Sequence, residues 1–201
     1  MAITAFTAPA HERWDERWYE QELGWAASEG PPVRLLTGLR FDVLELPADA
    51  GVELLRRYER TGPVAFQRGV PHAKEGRGVV RLLVAAGSAE ELPGLLDWLE
   101  WGGIALDLTA LGQGGSMTAP VPPGFPAPRG AAGWLRPPEP GREVEPSLPA
   151  LAPVGHSAGP GGGGGTPDLV RLVDAAANAC HRARLRRTNT PRVNTQALAF
   201  S

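Results

Sequence analysis

Two periods of apolar residues run along this chain. Near the start, Trp14, Trp18, Leu23 and Trp25 recur at roughly helical spacing among acidic residues, predicting a helix over 9–29 that Gly30-Pro31-Pro32 stops. From residue 40 the period changes. The run 40–46 (RFDVLEL) alternates, with Phe41, Val43 and Glu45 on one face of a strand and Asp42, Leu44 and Leu46 on the other. Residues 48–60 return to helical spacing, with Val52, Leu55 and Tyr58 on the apolar side and Thr61-Gly62 at the end. A short strand is predicted over 63–67, a polar loop over 68–76, and a strongly apolar, central strand over 78–85 (GVVRLLVA). Residues 88–101 read as a helix with Ser88 as N-cap and Glu91 completing a capping box; Leu92, Leu95, Leu96 and Leu99 form its buried stripe. Strands over 104–108 and 116–119 follow.

The order from residue 41 to 108 is β-α-β-β-α-β, the split βαβ or ferredoxin-like plan, also that of RRM domains. The fold class expected is therefore α+β, with two helices on one face of a four-stranded sheet. The other face is left for a ligand or for the N-terminal helix.

Composition divides the rest of the chain. The 201 residues include 26 Gly and 21 Pro, and these crowd into 120–167. That stretch, which holds the glycine run 161–165, has too little apolar surface to offset its ordering entropy. Residues 1–124 are thus expected to form the domain, and 125–166 a mostly disordered Pro/Gly-rich linker in which Trp134 and Leu135 can dock back as a short strand. Residues 167–201 are expected to form a basic helix and tail. The helix is predicted over 168–187, with Leu169, Leu172, Val173, Ala176 and Cys180 on one stripe.

Charge narrows the function classes only a little. The net charge is −2, which argues neither for nor against a polyanionic partner. Residues 1–30 carry six acids and two arginines, whereas six arginines and two acids follow Thr166. The single cysteine rules out a disulfide within the chain and a Cys-based metal site. No apolar run approaches a membrane span. The N-terminal residues show no basic n-region, so the expected location is cytoplasmic.

Several landmarks appear in a recognisable order. These are the Gly24-Trp25 pair after the first helix, an acid-bearing strand FDVLELP, a Gly-rich strand entry GRGVVRLLVAAG, and the closing piece ALDLTALGQGGSMTAPVPP. In layout, over about residues 20–124, the chain resembles the N-terminal domain of bifunctional DNA primase/polymerases, the Prim-Pol domain of the archaeo-eukaryotic primase superfamily. It also looks like a degenerate, actinobacterial-type member of that group. The resemblance implies a split βαβ core and, in an active member, nucleotidyl transfer with two Mg²⁺ or Mn²⁺ ions held by carboxylates.

Matched residue by residue, the family's first acid falls on Asp42 and its last on Asp107, which become the candidate catalytic and metal-binding residues. The second acid of the family's Asp-x-Asp pair falls on Leu44. Glu45 is adjacent, but strand parity turns it to the other face. No histidine stands in 78–84; Arg81 is the candidate phosphate-binding residue there, and His72 is a weaker substitute in the preceding loop. Arg182, Arg184, Arg186 and Arg187 form a candidate nucleic-acid-binding patch. The same arginines could instead stabilise their own helix end or dock on the acidic N-terminal helix. Three functions stay open. The first is a catalytically degenerate Prim-Pol-like protein that binds a nucleotide or single-stranded nucleic acid. The second is a protein-interaction or regulatory module. The third is an active primase–polymerase.

Overall fold

The computed structural model describes residues 14, 16–59, 61–69, 78–151 and 168–189. His72 and the 161–165 glycine run lie outside them. The elements in chain order are α1 (Glu16–Leu23), β1 (Ala27–Ser28), β2 (Arg34–Leu36), β3 (Asp42–Pro47), α2 (Ala48–Arg57), β4 (Val64–Gln67) and β5 (Val79–Val84). They continue with α3 (Ser88–Trp98), β6 (Thr109–Leu111), β7 (Ser116–Thr118), β8 (Gly133–Arg136), a 3₁₀ turn (Glu145–Ser147) and α4 (Leu169–Asn189). The protein is α+β, with antiparallel sheets and, among the described residues, four α-helices.

The main sheet has the order β6-β3-β5-β4-β8, and a smaller one has the order β1-β2-β7. In the centre, Asp42 pairs with Val84 and Glu45 with Arg81. On the other side of β3, Glu45 pairs with Thr109 and Val43 with Leu111. Strand parity holds through this region. Leu44, Leu46, Val80, Leu82 and Val84 face α2, α3 and α4, while Phe41, Val43 and Leu83 face the other way.

Four local expectations are corrected. The N-terminal helix ends at Leu23 instead of running to residue 29. Gly24, at φ 65°, closes the helix as an αL cap with its N–H on the Glu20 carbonyl at 3.1 Å; the Trp25 N–H reaches the Tyr19 carbonyl at 3.1 Å, and Trp25 turns into the core. In α2 the buried residues are Ala50, Gly51 and Leu54, while Val52 is exposed. The small residues face inward because α2 lies close to β5: a Cβ on Gly51 would sit 2.5 Å from the Val80 Cβ. Ser88 does not cap α3; Gly87 holds the N-cap position without a side-chain hydrogen bond, and Asp42 of β3 supplies the acceptor instead. The strand expected over 104–108 begins only at Thr109. The preceding residues form a loop against α4, where Trp101 Nε1 donates to Asp174 Oδ1 at 3.1 Å and Arg184 donates to the Ala105 carbonyl.

Two further segments join the folded body. Within the stretch read as linker, Gly133–Arg136 adds a fifth strand beside β4, and Val144 and Leu148 are buried; residues 152–167 lie outside the described set. Helix α4 packs on α2, α3 and β3, with Leu169, Leu172, Val173, Ala176 and Cys180 in the core. The opposite sheet face is also closed. Tyr19, Leu23, Trp25, Leu35, Met117 and Leu148 cover it.

Candidate functional site

The candidate residues fall in three places: Asp42 stands alone, Arg81 lies on the other sheet face, and Asp107 joins the α4 arginines through Arg187. Asp42 starts β3 on the helical face and is wholly buried. Its Oδ2 accepts the Ala89 N–H at 2.9 Å in the first turn of α3, while Oδ1 is buried and has no hydrogen-bond partner among the described residues. Burial raises the carboxyl above the ordinary aspartate value and the charge of Glu90 adds to the rise, against the amides of Ala89, Gly87 and Gly38. This is the environment of a helix-capping carboxylate.

Asp107 lies at the other end of β3. Two residues before the Thr109–Glu45 pair, it sits toward Pro47 and the start of α2. Arg187 ties it there: NH1 donates to Asp107 Oδ2 at 3.0 Å while Nε lies 3.3 Å from Asp49 Oδ2. The rise of β3 from Asp42 to Pro47 is about 17 Å at ~3.4 Å per residue. Carboxylate oxygens sit only about 2.0–2.6 Å from Mg²⁺ or Ca²⁺, so Asp42 and Asp107 cannot share an ion. Among the described residues, no group of three or more His, Cys, Asp or Glu side chains could hold a metal. The residues that the Prim-Pol resemblance assigns to Mg²⁺ or Mn²⁺ do not fit that role.

Arg81 lies on the opposite sheet face from Asp42. Its Nε donates to Glu45 Oε1 at 2.6 Å and its NH1 to Gln67 Oε1 at 2.6 Å. Both side chains of the ion pair are almost completely buried. Two of the guanidinium nitrogens are thus engaged inside the protein. Gln67 also lines a cavity of about 650 Å³ between Trp14, Pro31, Pro32 and Ala132, with Arg129 among its walls. Strand parity places Glu45 opposite Asp42, and the pairing register then brings it to Arg81. Nothing in the sequence marks Gln67 or the cavity, whose walls come from segments distant along the chain.

The arginines of α4 are held by the protein itself. Arg182 Nε lies 2.8 Å from Glu53 Oε1, and Arg186 pairs with the other oxygen of the same carboxylate. Arg184 donates to the Ala105 carbonyl, and Arg187 bridges Asp49 and Asp107. The basic end of α4 therefore docks on the acidic first half of α2, not on the N-terminal helix. Cys180 is buried beneath this contact. Burial, reinforced by the charge of Asp107, pushes its thiol up to about 12, so it stays protonated at neutral pH. Of the tryptophan pair in DWLEW, Trp98 points to solvent while Trp101 packs on α4.

No helix among the described residues is long and apolar enough to cross a membrane. The chain matches no protein-family model, no curated protein and no solved structure.

Proposed function

We propose that this chain is a non-catalytic binding module on a Prim-Pol-like frame. The succession β3-α2-β4-β5-α3-β6 is the element order of a split βαβ unit, and the neighbours β6-β3-β5-β4 form one antiparallel sheet. Both observations support that reading of the core. The observation that carries the functional part is the placement of the two acids. Asp42 and Asp107 stand at opposite ends of β3, and each has a structural partner: the Ala89 amide for one, the Arg187 guanidinium for the other. Two-metal nucleotidyl transfer needs ions about 3.5–4 Å apart under shared carboxylates, and these positions offer no such pair. The internal pairing of Arg182, Arg184, Arg186 and Arg187 weakens the argument for nucleic acid along α4. It favours a protein partner.

Primer extension and de novo synthesis, each with Mg²⁺ and with Mn²⁺, test the proposal. The expected result is no product above a protein-free control, with Asp42→Ala and Asp107→Ala lowering the melting temperature and nothing else. Metal-dependent product that disappears in both variants would overturn it.

A further inference from the structure

We propose that the groove between α2 and α4 is a docking site for an acidic peptide segment of a protein partner, with an aliphatic side chain of that segment on its floor. The proposal names the ligand class for the binding module argued above and rests on that reading. The two helices run antiparallel. Arg187 meets Asp49 at one end, Arg182 and Arg186 meet Glu53 in the middle, and Ala175 and Ala179 lie beside the last turn of α2.

A cavity of about 350 Å³ opens there, within the range of roughly 300–1,000 Å³ usual for ligand pockets. Its depth comes from the small side chains of Ala175 and Ala179, four residues apart on one face of α4, with Leu54 of α2 completing an apolar floor. Arg56, Arg57 and Arg182 line it together with Glu53, three cations against one anion, a local charge of +2.

Arg56 and Arg57 separate this groove from the rest of the basic surface. Both are exposed, and among the described residues neither makes an ion pair or a side-chain hydrogen bond. They are thus free to bind carboxylates from outside. Arg182, although paired with Glu53, keeps about half of its side chain in solvent at 49 %. An acidic peptide fits this arrangement better than a polynucleotide does. No aromatic side chain lines the groove to stack a base. An apolar floor between cations suits an aliphatic residue flanked by glutamate or aspartate.

The test uses the full chain and an array of 12-residue peptides whose Glu and Asp content rises from none to half, each carrying a central leucine. Binding is expected to strengthen with acidic content and to weaken with salt. An Arg56→Glu/Arg57→Glu variant with an unchanged melting temperature should lose affinity for the acidic peptides by about tenfold or more. Binding indifferent to acidic content, binding that survives the double substitution, or no binding at low salt overturns the proposal. Tighter, salt-sensitive binding to single-stranded DNA through the same two arginines overturns it as well. None of these outcomes bears on nucleotidyl transfer, so the primer-extension result stands or falls separately.

Discussion

The two faces of the five-stranded sheet are closed by different chemistry. On one, Leu44, Leu46, Val80, Leu82 and Val84 meet the aliphatic stripes of α2, α3 and α4. On the other, Phe41, Val43 and Leu83 meet Tyr19 and Trp25, with the Trp25 ring 4.7 Å from Phe41 and 6.2 Å from Trp134. Each face also buries a carboxylate, and the two are handled in opposite ways. Asp42 sits at the rim of the aliphatic face beside a helix N-terminus, satisfied through only one of its oxygens. Glu45 and Arg81 sit within the aromatic face as a direct ion pair with Gln67 as a further acceptor. A lone charge is tolerated where helix amides reach it. A charge away from any helix end needs its counter-ion.

Removing that counter-ion should have the largest effect. Arg81→Ala leaves Glu45 buried without its guanidinium, and urea unfolding should show a loss of about 3–5 kcal/mol. Replacing both partners, Glu45→Leu with Arg81→Met, should restore most of the loss, because well-packed apolar residues also avoid the desolvation cost. A double variant as unstable as the single one would mean that the aromatic face depends on the ion pair for more than charge balance. Tyr19 belongs to the same layer: its hydroxyl donates to the Pro120 carbonyl and accepts from Trp134 Nε1 at 3.3 Å.

A smaller effect probes the aliphatic face. Gly51→Ala places a methyl group 2.5 Å from Val80 Cβ on a central, stiff β-branched residue. Overpacking costs about 1–3 kcal/mol, while alanine gains roughly 1 kcal/mol over glycine in a helix interior. The steric term wins, so thermal melting should show a net loss of up to about 2 kcal/mol. A stabilised variant would show that α2 can slide away from β5, and that the face is packed less closely than the aromatic one.

The difference between the faces also explains what could be read from the sequence. The helices and strands of the aliphatic face carry their own periods: strand parity separated Leu44 and Leu46 from Val43, and the stripe Leu169, Leu172, Val173, Ala176, Cys180 predicted the buried side of α4. Where period failed, bulk misled. Val52 outweighed Gly51 and Ala50 in the pattern of α2, although contact with Val80 selects the small residues. The aromatic face is assembled from α1, whose period showed in the tryptophans although its end did not, and from two- to four-residue strands and a 3₁₀ turn too brief for a periodicity. The sheet's fifth strand lay in a stretch whose proline and glycine content predicted a linker, with Trp134 and Leu135 as the short strand that could dock back. The candidate site suffered for a related reason. A position in a motif fixes order along the chain, whereas sharing a metal requires one face and one end of a sheet. Asp107 lost its strand position when 104–108 turned toward α4, and the α4 arginines met acids on α2 that no local pattern links to them.

The smallest effect, and the sharpest on the lone charge, is a pH slope. Asp42 titrates above the ordinary aspartate value in the folded protein, mainly because it is buried. The folded state therefore holds its proton more tightly than the unfolded state does. Stability from this group is highest below the unfolded pKa and declines as pH rises through the raised folded value, beyond which it is level. Asp42→Asn keeps an oxygen acceptor for the Ala89 N–H and removes the ionisation. Other carboxylates contribute their own slopes, so the informative quantity is the stability of the variant minus that of the native protein, from urea midpoints at a series of pH values. That difference should move in favour of asparagine as pH rises from the acid side and then become constant. A flat difference would mean that the Ala89, Gly87 and Gly38 amides stabilise the carboxylate enough to cancel its burial. A difference moving in favour of aspartate would make Asp42 a net stabilising cap, and the contrast with Glu45 and Arg81, whose burial a partner must offset, would then be complete.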